Sequence, residues 1–238
     1  MAHFFHVFFY TPVYNLLVFL TAHIPGGDIG VSIIVATIIV KIILLPLSLG
    51  MARTQKAMKK VEPHLKKIKE DHKDDKEKQA REMMALYKEH NIKPFSSFLL
   101  ILIQLPVILA LYWVFQSQSL PNIDPTLLYG FLNITEVHAT ELFLGFLDIT
   151  QKSIGLAVVA GLFQVAQGIY TIPVPEKTTG GKGTSAEDFN RAMAMQMRFV
   201  LPVIIGLVAY TSGAIALYFI TSTIVAIVQE FFIRKTTT

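Results

Sequence analysis

Five stretches of this chain are apolar for long enough to cross about 30 Å of hydrocarbon: roughly residues 29–49, 95–115, 154–172, 199–211 with the turn before them, and 213–233. Inside a bilayer the backbone must satisfy its own hydrogen bonds, so such stretches read as helices. The fold class that follows is all-α, a polytopic membrane protein. Composition agrees, because 53% hydrophobic residues, 16% charged residues and a mean hydropathy of +0.51 are too apolar for an ordinary soluble domain. With no cysteine in the chain, a disulfide framework, a thiolate metal site, a cysteine nucleophile and a lipid-modified cysteine are excluded together.

Charge sets the expected orientation. Residues 50–94 hold 13 of the 21 Lys and Arg residues and 8 acidic ones, whereas residues 116–151 hold no Lys or Arg. The positive-inside rule assigns the first segment to the cytoplasm, together with loop 173–190 and the tail Arg234-Lys235, leaving the N-terminus outside and the C-terminus in the cytoplasm. The outer loop, 117–150, carries Asp124, Glu136, Glu141 and Asp148, and its mixed apolar residues point to short surface helices. Residues 1–27 lack the n-region and cleavage site of a secretory signal and are expected to stay in the mature protein. Phe4, Phe5, Phe8, Phe9, Tyr10 and Tyr14, with Pro12, fit an interfacial helix there better than a clean span. Domain boundaries follow: 1–27 interfacial, 28–49 first span, 50–94 cytoplasmic, and 95–236 four further spans.

The cytoplasmic segment is patterned as a helical hairpin. Met51, Met58, Val61, Leu65 and Ile68 fall on one helical stripe, and Ala80, Met83, Met84 and Tyr87 on another, either side of the charged tip DHKDDKEK. Two arms of about twenty residues would project roughly 30 Å. Pro63 is expected to start or kink part of the first arm. The net charge of +5 in this segment faces an anionic leaflet or an RNA-rich partner.

The first span, GVSIIVATIIVKIILLPLSLG, raises the functional question, because it contains Lys41. A cation near mid-span costs about 2.5–3.5 kcal/mol on insertion scales unless water or a partner reaches it. Snorkelling to the level of Gly50 nearly suffices but falls short, since nine residues of helix are about 13 Å and a lysine stem covers roughly half of that. Thr37 and Ser48 share the Lys41 face of a continuous helix. The other spans bring Gln104, Gln164, Gln167, Tyr218, Ser222 and Gln229, with Gln164 read as a bond to a neighbouring helix. Lys41 is read as having no acid inside the spans to neutralise it. A hydrated pocket that attracts a negative or strongly polar visitor is the expectation.

Several segments carry a family resemblance: TIIVKIILLPLSLG, QKAMKKVEPHLKKIKE, DDKEKQAREMMALYKEHNIKPF, LLILIQLPVILALYWVF and SGAIALYFITSTIVAIVQE. In order and spacing they resemble the YidC, Oxa and Alb insertases, with EMMALYK before N-x-x-P and Q-x-P-x-x-x-A-L-Y the most specific pair. The resemblance implies five spans around a groove open to cytoplasm and lipid, and a bacterial inner-membrane protein that inserts and helps fold nascent membrane proteins. It implies no enzyme activity and no cofactor. Its partners would be nascent membrane proteins, the translating ribosome, membrane lipids and the Sec translocon, with no specific nucleic-acid sequence. The family's groove arginine falls on Lys41, its threonine on Thr37, its second-span glutamine on Gln104 before Pro106, and a further groove glutamine on Gln167. Its L-Y-aromatic motif reads Leu217, Tyr218, Phe219, with Ser222 one turn on. Hairpin contacts would come from Lys59, Lys60, Lys66, Lys67, Arg81, Met83, Met84 and Tyr87. Two departures stand out: lysine replaces arginine, keeping charge but losing the planar fork, and Ser96-Ser97-Phe98 replaces a glycine pair and a small residue.

The rival reading is a small transporter or channel in which Lys41 binds an anionic solute, but the chain shows no internal repeat with paired broken helices. G-x-S-x-G, H-E-x-x-H and paired midplane carboxylates do not occur. His3 and His6 read as interface packing, the GGKG at 180–183 as a flexible connection, and Asn133-Ile134-Thr135 as a sequon in form alone.

Overall fold

The computed structural model of the chain describes residues 2–92, 96–116, 123–132, 134, 137–171 and 191–236. The sequon, the GGKG run and loop 173–190 lie outside the described residues, as do the side chains of Ser96, Ser97 and Phe98. The described chain forms two compact units, residues 1–42 with 106–238, and residues 43–105.

In the first unit, helix α1 (Thr11–His23) continues backward through a π-helical turn at His6–Tyr10 to a short helix at Ala2–Phe5. Gly26 and Gly27, both at positive φ, then turn the chain into α2 (Ile29–Ile43). Gly27 admits no side chain, because a Cβ would lie 1.7 Å from the His138 carbonyl oxygen. The approach is a parallel bridge in which the Thr140 N–H donates to the Gly27 carbonyl at 2.8 Å and the Ile29 N–H donates to the Thr140 carbonyl at 3.1 Å.

Loop 117–150 does not form the expected surface helices among its described residues. Among its described residues it makes one 3-10 turn, Pro125–Leu127, and an antiparallel pair, β1 (Leu142–Phe143) with β2 (Leu147–Asp148). Leu144 and Gly145 at positive φ close the turn between them. Asp28 ties this pair to the first span: one carboxylate oxygen caps α2 by accepting the Val31 N–H at 3.0 Å, and the other accepts the Leu144 N–H at 2.7 Å.

Helices α6 (Ile154–Thr171), α7 (Arg191–Tyr210) and α8 (Gly213–Thr236) complete this unit. Lipid tails give helices no hydrophobic reason to associate, so close backbone packing must do it. Accordingly Ala157, Ala160 and Ala209 are buried, and a Cβ on Gly168 would press to 3.2 Å from the Arg198 carbonyl oxygen. The Arg198 guanidinium donates to the Gly168 and Ile169 carbonyls at 3.4 and 3.0 Å, meeting the open C-terminal end of α6. Val158, Leu162, Val203 and Leu207 are exposed, as suits surface that faces acyl chains.

By length and apolarity His3–His23, Ile154–Thr171, Arg191–Tyr210 and Gly213–Ile233 could each cross a membrane. Of the other two expected spans, one is helix α5 (Ser96–Gln116), whose 21 residues run through Pro106. The other, residues 29–49, is not one helix. It stops at Ile43, Leu44 is the N-cap of the next helix, and α3 runs Leu45–Asp71. Pro46 is the physical reason: it has no N–H for the Ile42 carbonyl, and its ring crowds the preceding turn.

In the second unit α3 and α4 (Lys76–Glu89) form the expected hairpin. The first arm is longer than expected, 27 residues or about 40 Å, and Pro63 lies within the helix and does not start it. The two stripes meet: Val61 and Leu65 are buried, with Met58, Met83, Leu86 and Tyr87 packed around them. Burial pushes the Tyr87 hydroxyl above its ordinary pKa, so it stays neutral. Met84, 60% exposed, is outside this seam. Ile92 completes it, held by a C-terminal cap in which its N–H donates to the Tyr87 carbonyl at 2.8 Å and that of Asn91 to Lys88 at 3.2 Å. Asn91 takes φ 51°, the left-handed position that asparagine tolerates better than most residues.

Candidate functional site

The break at Leu44 changes the meaning of Lys41. The residue sits in the last turn of α2, not in the middle of a continuous helix. It is half-buried, and among the described residues no carboxylate pairs with it. A cation in the last turn meets the favourable end of the helix dipole, worth about 0.3–1 kcal/mol and up to about 2 when partly buried. That offsets part, not all, of the insertion cost. The carbonyl of Lys41 is one of the four that an α-helix leaves open at its C-terminus, and Gln229 on α8 donates its side-chain amide to it at 3.4 Å. This contact joins α2 and α8 at the lysine. Ser48 belongs to α3 and donates to the Leu44 carbonyl, so the polar stripe from Thr37 to Ser48 does not run along one helix.

The other sequence-selected residues fall in three settings. Thr37, Tyr218, Phe219 and Ser222 are buried. Thr37 donates to the Ile33 carbonyl at 2.6 Å, Ser222 is the hydrogen-bond partner of Tyr218, and the rings of Tyr218 and Phe219 lie 5.5 Å apart, edge to face. Tyr218 and Phe219 are part of the same apolar core as Ile33, Ala36 and Leu111. Gln164 and Gln167 are half-buried on α6, and Gln104 is half-buried on α5 in the second unit. Two features escaped the sequence reading. Thr223, beside Ser222, is buried with a hydroxyl that has no partner among the described residues. Glu230 falls within residues 213–233, so the spans are not free of acid; it is half-buried, has an interaction of its own, and forms no ion pair with Lys41.

Across the unit, α1 and the short helix before it are fastened to residues of loop 117–150 and of helix ends. The Tyr14 hydroxyl accepts the Asp124 N–H at 2.8 Å. Asn15, 3% exposed, donates to the Leu127 carbonyl at 2.8 Å and accepts the Tyr129 N–H at 2.7 Å. Thr21 donates to Ser32 near the start of α2, and Phe5 meets Trp113 near the end of α5. Further round, the Gly213 and Ala214 N–H groups donate to the Gln151 and Ile149 carbonyls at 2.9 and 2.8 Å. Asp124 and Asp148 are each held below the ordinary carboxylate range, first by the hydroxyl two residues on, of Thr126 and Thr150.

The hairpin residues separate too. Lys66 pairs with Glu62 at 3.7 Å and Arg81 with Glu77, exposed pairs worth little. Lys59 and Lys67 are exposed, and Lys60 lines a cleft with Arg53, Lys56, Ala57 and His90.

Compared with known families, residues 19–238 match the family described as 60Kd inner membrane protein. The chain belongs to this family. Its relatives include the Membrane protein insertase YidC of Fusobacterium nucleatum, 30% identical over 230 residues that cover 94% of this chain and 97% of that protein. The protein of the same name from Clostridium tetani is 30% identical over 212 residues, 89% of this chain and 84% of the relative. That of Ectopseudomonas mendocina is 50% identical over 88 residues, 37% of this chain and 15% of the relative. The 60Kd family is one of multi-pass, non-enzymatic inner-membrane proteins, which accords with the helical architecture above.

Proposed function

We propose that this chain inserts nascent membrane proteins by giving their polar segments a charged resting point, Lys41, within the thickness of the membrane. The observation that carries the reading is a half-buried lysine in a span, unpaired with any acid among the described residues and set at a broken helix end. An insertase must lower the desolvation cost of moving a polar flank through hydrocarbon. Two opposite charges 4 Å apart attract by about 4 kcal/mol at an effective dielectric of 20, close to the insertion cost of a single charge. Lys41 therefore holds an acidic flank without trapping it. Burial of the client's apolar stretch, at roughly 25 cal/mol per Å², then drives release into lipid.

The groove would run along Lys41, Thr37, Gln167, Tyr218, Phe219 and Ser222, open to the cytoplasm and lipid and closed outside. Thr223, with hydrogen-bonding capacity to spare beside Ser222, supports a polar interior. Five helices would cross, with the N-terminus outside and α1 flat on the outer surface. In support of that placement, α1 and the short helix before it meet loop or helix-end residues at Phe5, Tyr14, Asn15 and Thr21; a crossing helix would carry the middle of that series into hydrocarbon. With the outer ends so fastened, the cytoplasmic side is where a client would enter. The translating ribosome and the Sec translocon are the partners this placement allows, through the hairpin.

Reconstitution tests the reading. Purified chain in liposomes without nucleotide is expected to render a short single-span client protease-protected, with Lys41→Arg retaining most of the yield and Lys41→Leu losing it by about tenfold. A client that stays fully digestible with the unaltered chain would refute insertase function for the chain alone.

A further inference from the structure

The charge of the hairpin is unevenly distributed. Residues 62–82, the distal part, carry seven basic and seven acidic side chains. Residues 50–61 and 83–94, the basal part, carry six basic and one acidic. The entire +5 excess therefore sits at the base. There Arg53, Lys56 and Lys60 follow one another at i, i+3 and i+7 on a single face of α3, and with Ala57 and His90 they line a cleft of about 300 Å³, the lower end of the range for small-ligand sites.

We propose that this cleft seats the phosphate of an anionic phospholipid from the cytoplasmic leaflet. Within this unit α3 begins in the apolar run Leu45–Leu49, so Arg53 stands only about 4–5 Å of helix beyond Gly50, Lys56 about 9 Å and Lys60 about 15 Å. A headgroup layer adds roughly 5–7 Å to each side of the hydrocarbon. Side chains on a helix lean toward its N-terminus, which for α3 is the apolar end, so all three cations reach back toward that layer. Their stems cover apolar surface while the heads converge on one anion. His90 enters from the second arm, where α4 ends at Glu89 and the chain caps. The fork of Arg53 suits a phosphate's paired oxygens, and the ammonium groups add charge without fixed geometry. An RNA phosphate fits the position less well, because the distal part, which lies farther along the hairpin from the apolar run, has a net charge of zero and offers a polyanion no attraction. The seat would also anchor the base of the hairpin at a fixed height, which a uniformly basic hairpin could not do.

The inference rests on the hairpin lying on the cytoplasmic side, and its readout is independent of insertion. Full-length protein in neutral detergent micelles is titrated with phosphatidylglycerol bearing a fluorescent acyl chain, with equally labelled phosphatidylcholine as reference. Each basic residue near a lipid surface is worth about fivefold, about 1 kcal/mol. Arg53→Gln/Lys56→Gln/Lys60→Gln is thus expected to weaken phosphatidylglycerol binding by at least about tenfold. Lys66→Gln/Lys67→Gln/Lys69→Gln, with the same charge removed farther out, should stay within about twofold. Arg53→Lys/Lys56→Arg/Lys60→Arg should bind as the unaltered protein does, and its retention would show that the loss is not one of folding. Equal loss in both glutamine triples would overturn the cleft in favour of diffuse attraction, and no loss in the basal triple would overturn it outright. Displacement of the lipid by inorganic phosphate beyond that by chloride at equal ionic strength would reassign the site to free phosphate. Loss of ribosome co-sedimentation with unchanged lipid binding would reassign it to RNA.

Discussion

Lys41→Glu is expected to lower insertion of clients with acidic translocated tails by at least about tenfold while changing insertion of matched neutral-tailed clients by less than about threefold. The reversal replaces an attraction with a repulsion of comparable size at the same point. Even a third of the approximately 4 kcal/mol available at an effective dielectric of 20 amounts to a factor of ten. The difference between the two client classes is the diagnostic quantity, because a general folding defect would lower both. A pulse-labelled protease-protection assay on paired clients, differing only in three Asp or Asn residues, reads it directly. Equal loss, or none, would remove the charge contact from the mechanism.

The second large effect concerns the clamp on α1. Asn15→Leu is expected to destabilise the first unit by about 3 kcal/mol, because it strands the Leu127 carbonyl and the Tyr129 N–H, each at about 1–3 kcal/mol where it is buried. Tyr14→Phe, which costs the exposed backbone of Asp124 a partner that water can replace, should cost about 0.5–1.5 kcal/mol. Thermal unfolding in detergent, with hydrogen exchange followed at residues 123–132, separates them. An Asn15→Leu protein as stable as the original, with the loop equally protected, would show that α1 is not held to residues 124–129 in the way described.

What the sequence announced and what it hid have separate physical origins. The hairpin was legible because its seam is local: period-3.6 stripes ending at Ile68 and starting again at Ala80 can bury their apolar faces against each other, as Val61, Leu65, Met83 and Tyr87 do. Ile92 escaped the stripe because it lies beyond the helix and enters the seam through the cap at Asn91. The break at Leu44 had a visible cause in Pro46, yet the apolarity of residues 42–49 masks it, since hydropathy does not distinguish a helix from two helices laid end to end. The strand pair at Leu142–Asp148 has no polar alternation to announce it; Leu142, Phe143, Leu144, Phe146 and Leu147 are all apolar. The clamp at Asn15 joins residues more than a hundred positions apart, and nothing in a single sequence relates them. At the candidate site the residue types were readable and their company was not. Lys41 and Gln229 were each conspicuous as polar groups in apolar runs, but only the fold puts the amide of one on the carbonyl of the other. Tyr218 and Phe219 were likewise conspicuous as a motif, but only the fold shows them packed with Ile33, Ala36 and Leu111.

A photoreactive phenylalanine placed at Lys41, with a ribosome-stalled nascent client whose apolar stretch has just emerged, is the direct test of whether a polypeptide reaches this lysine. The account predicts a covalent adduct with the client that disappears once the stall is released and insertion completes. Adducts with lipid alone, at every length of nascent chain, would contradict it.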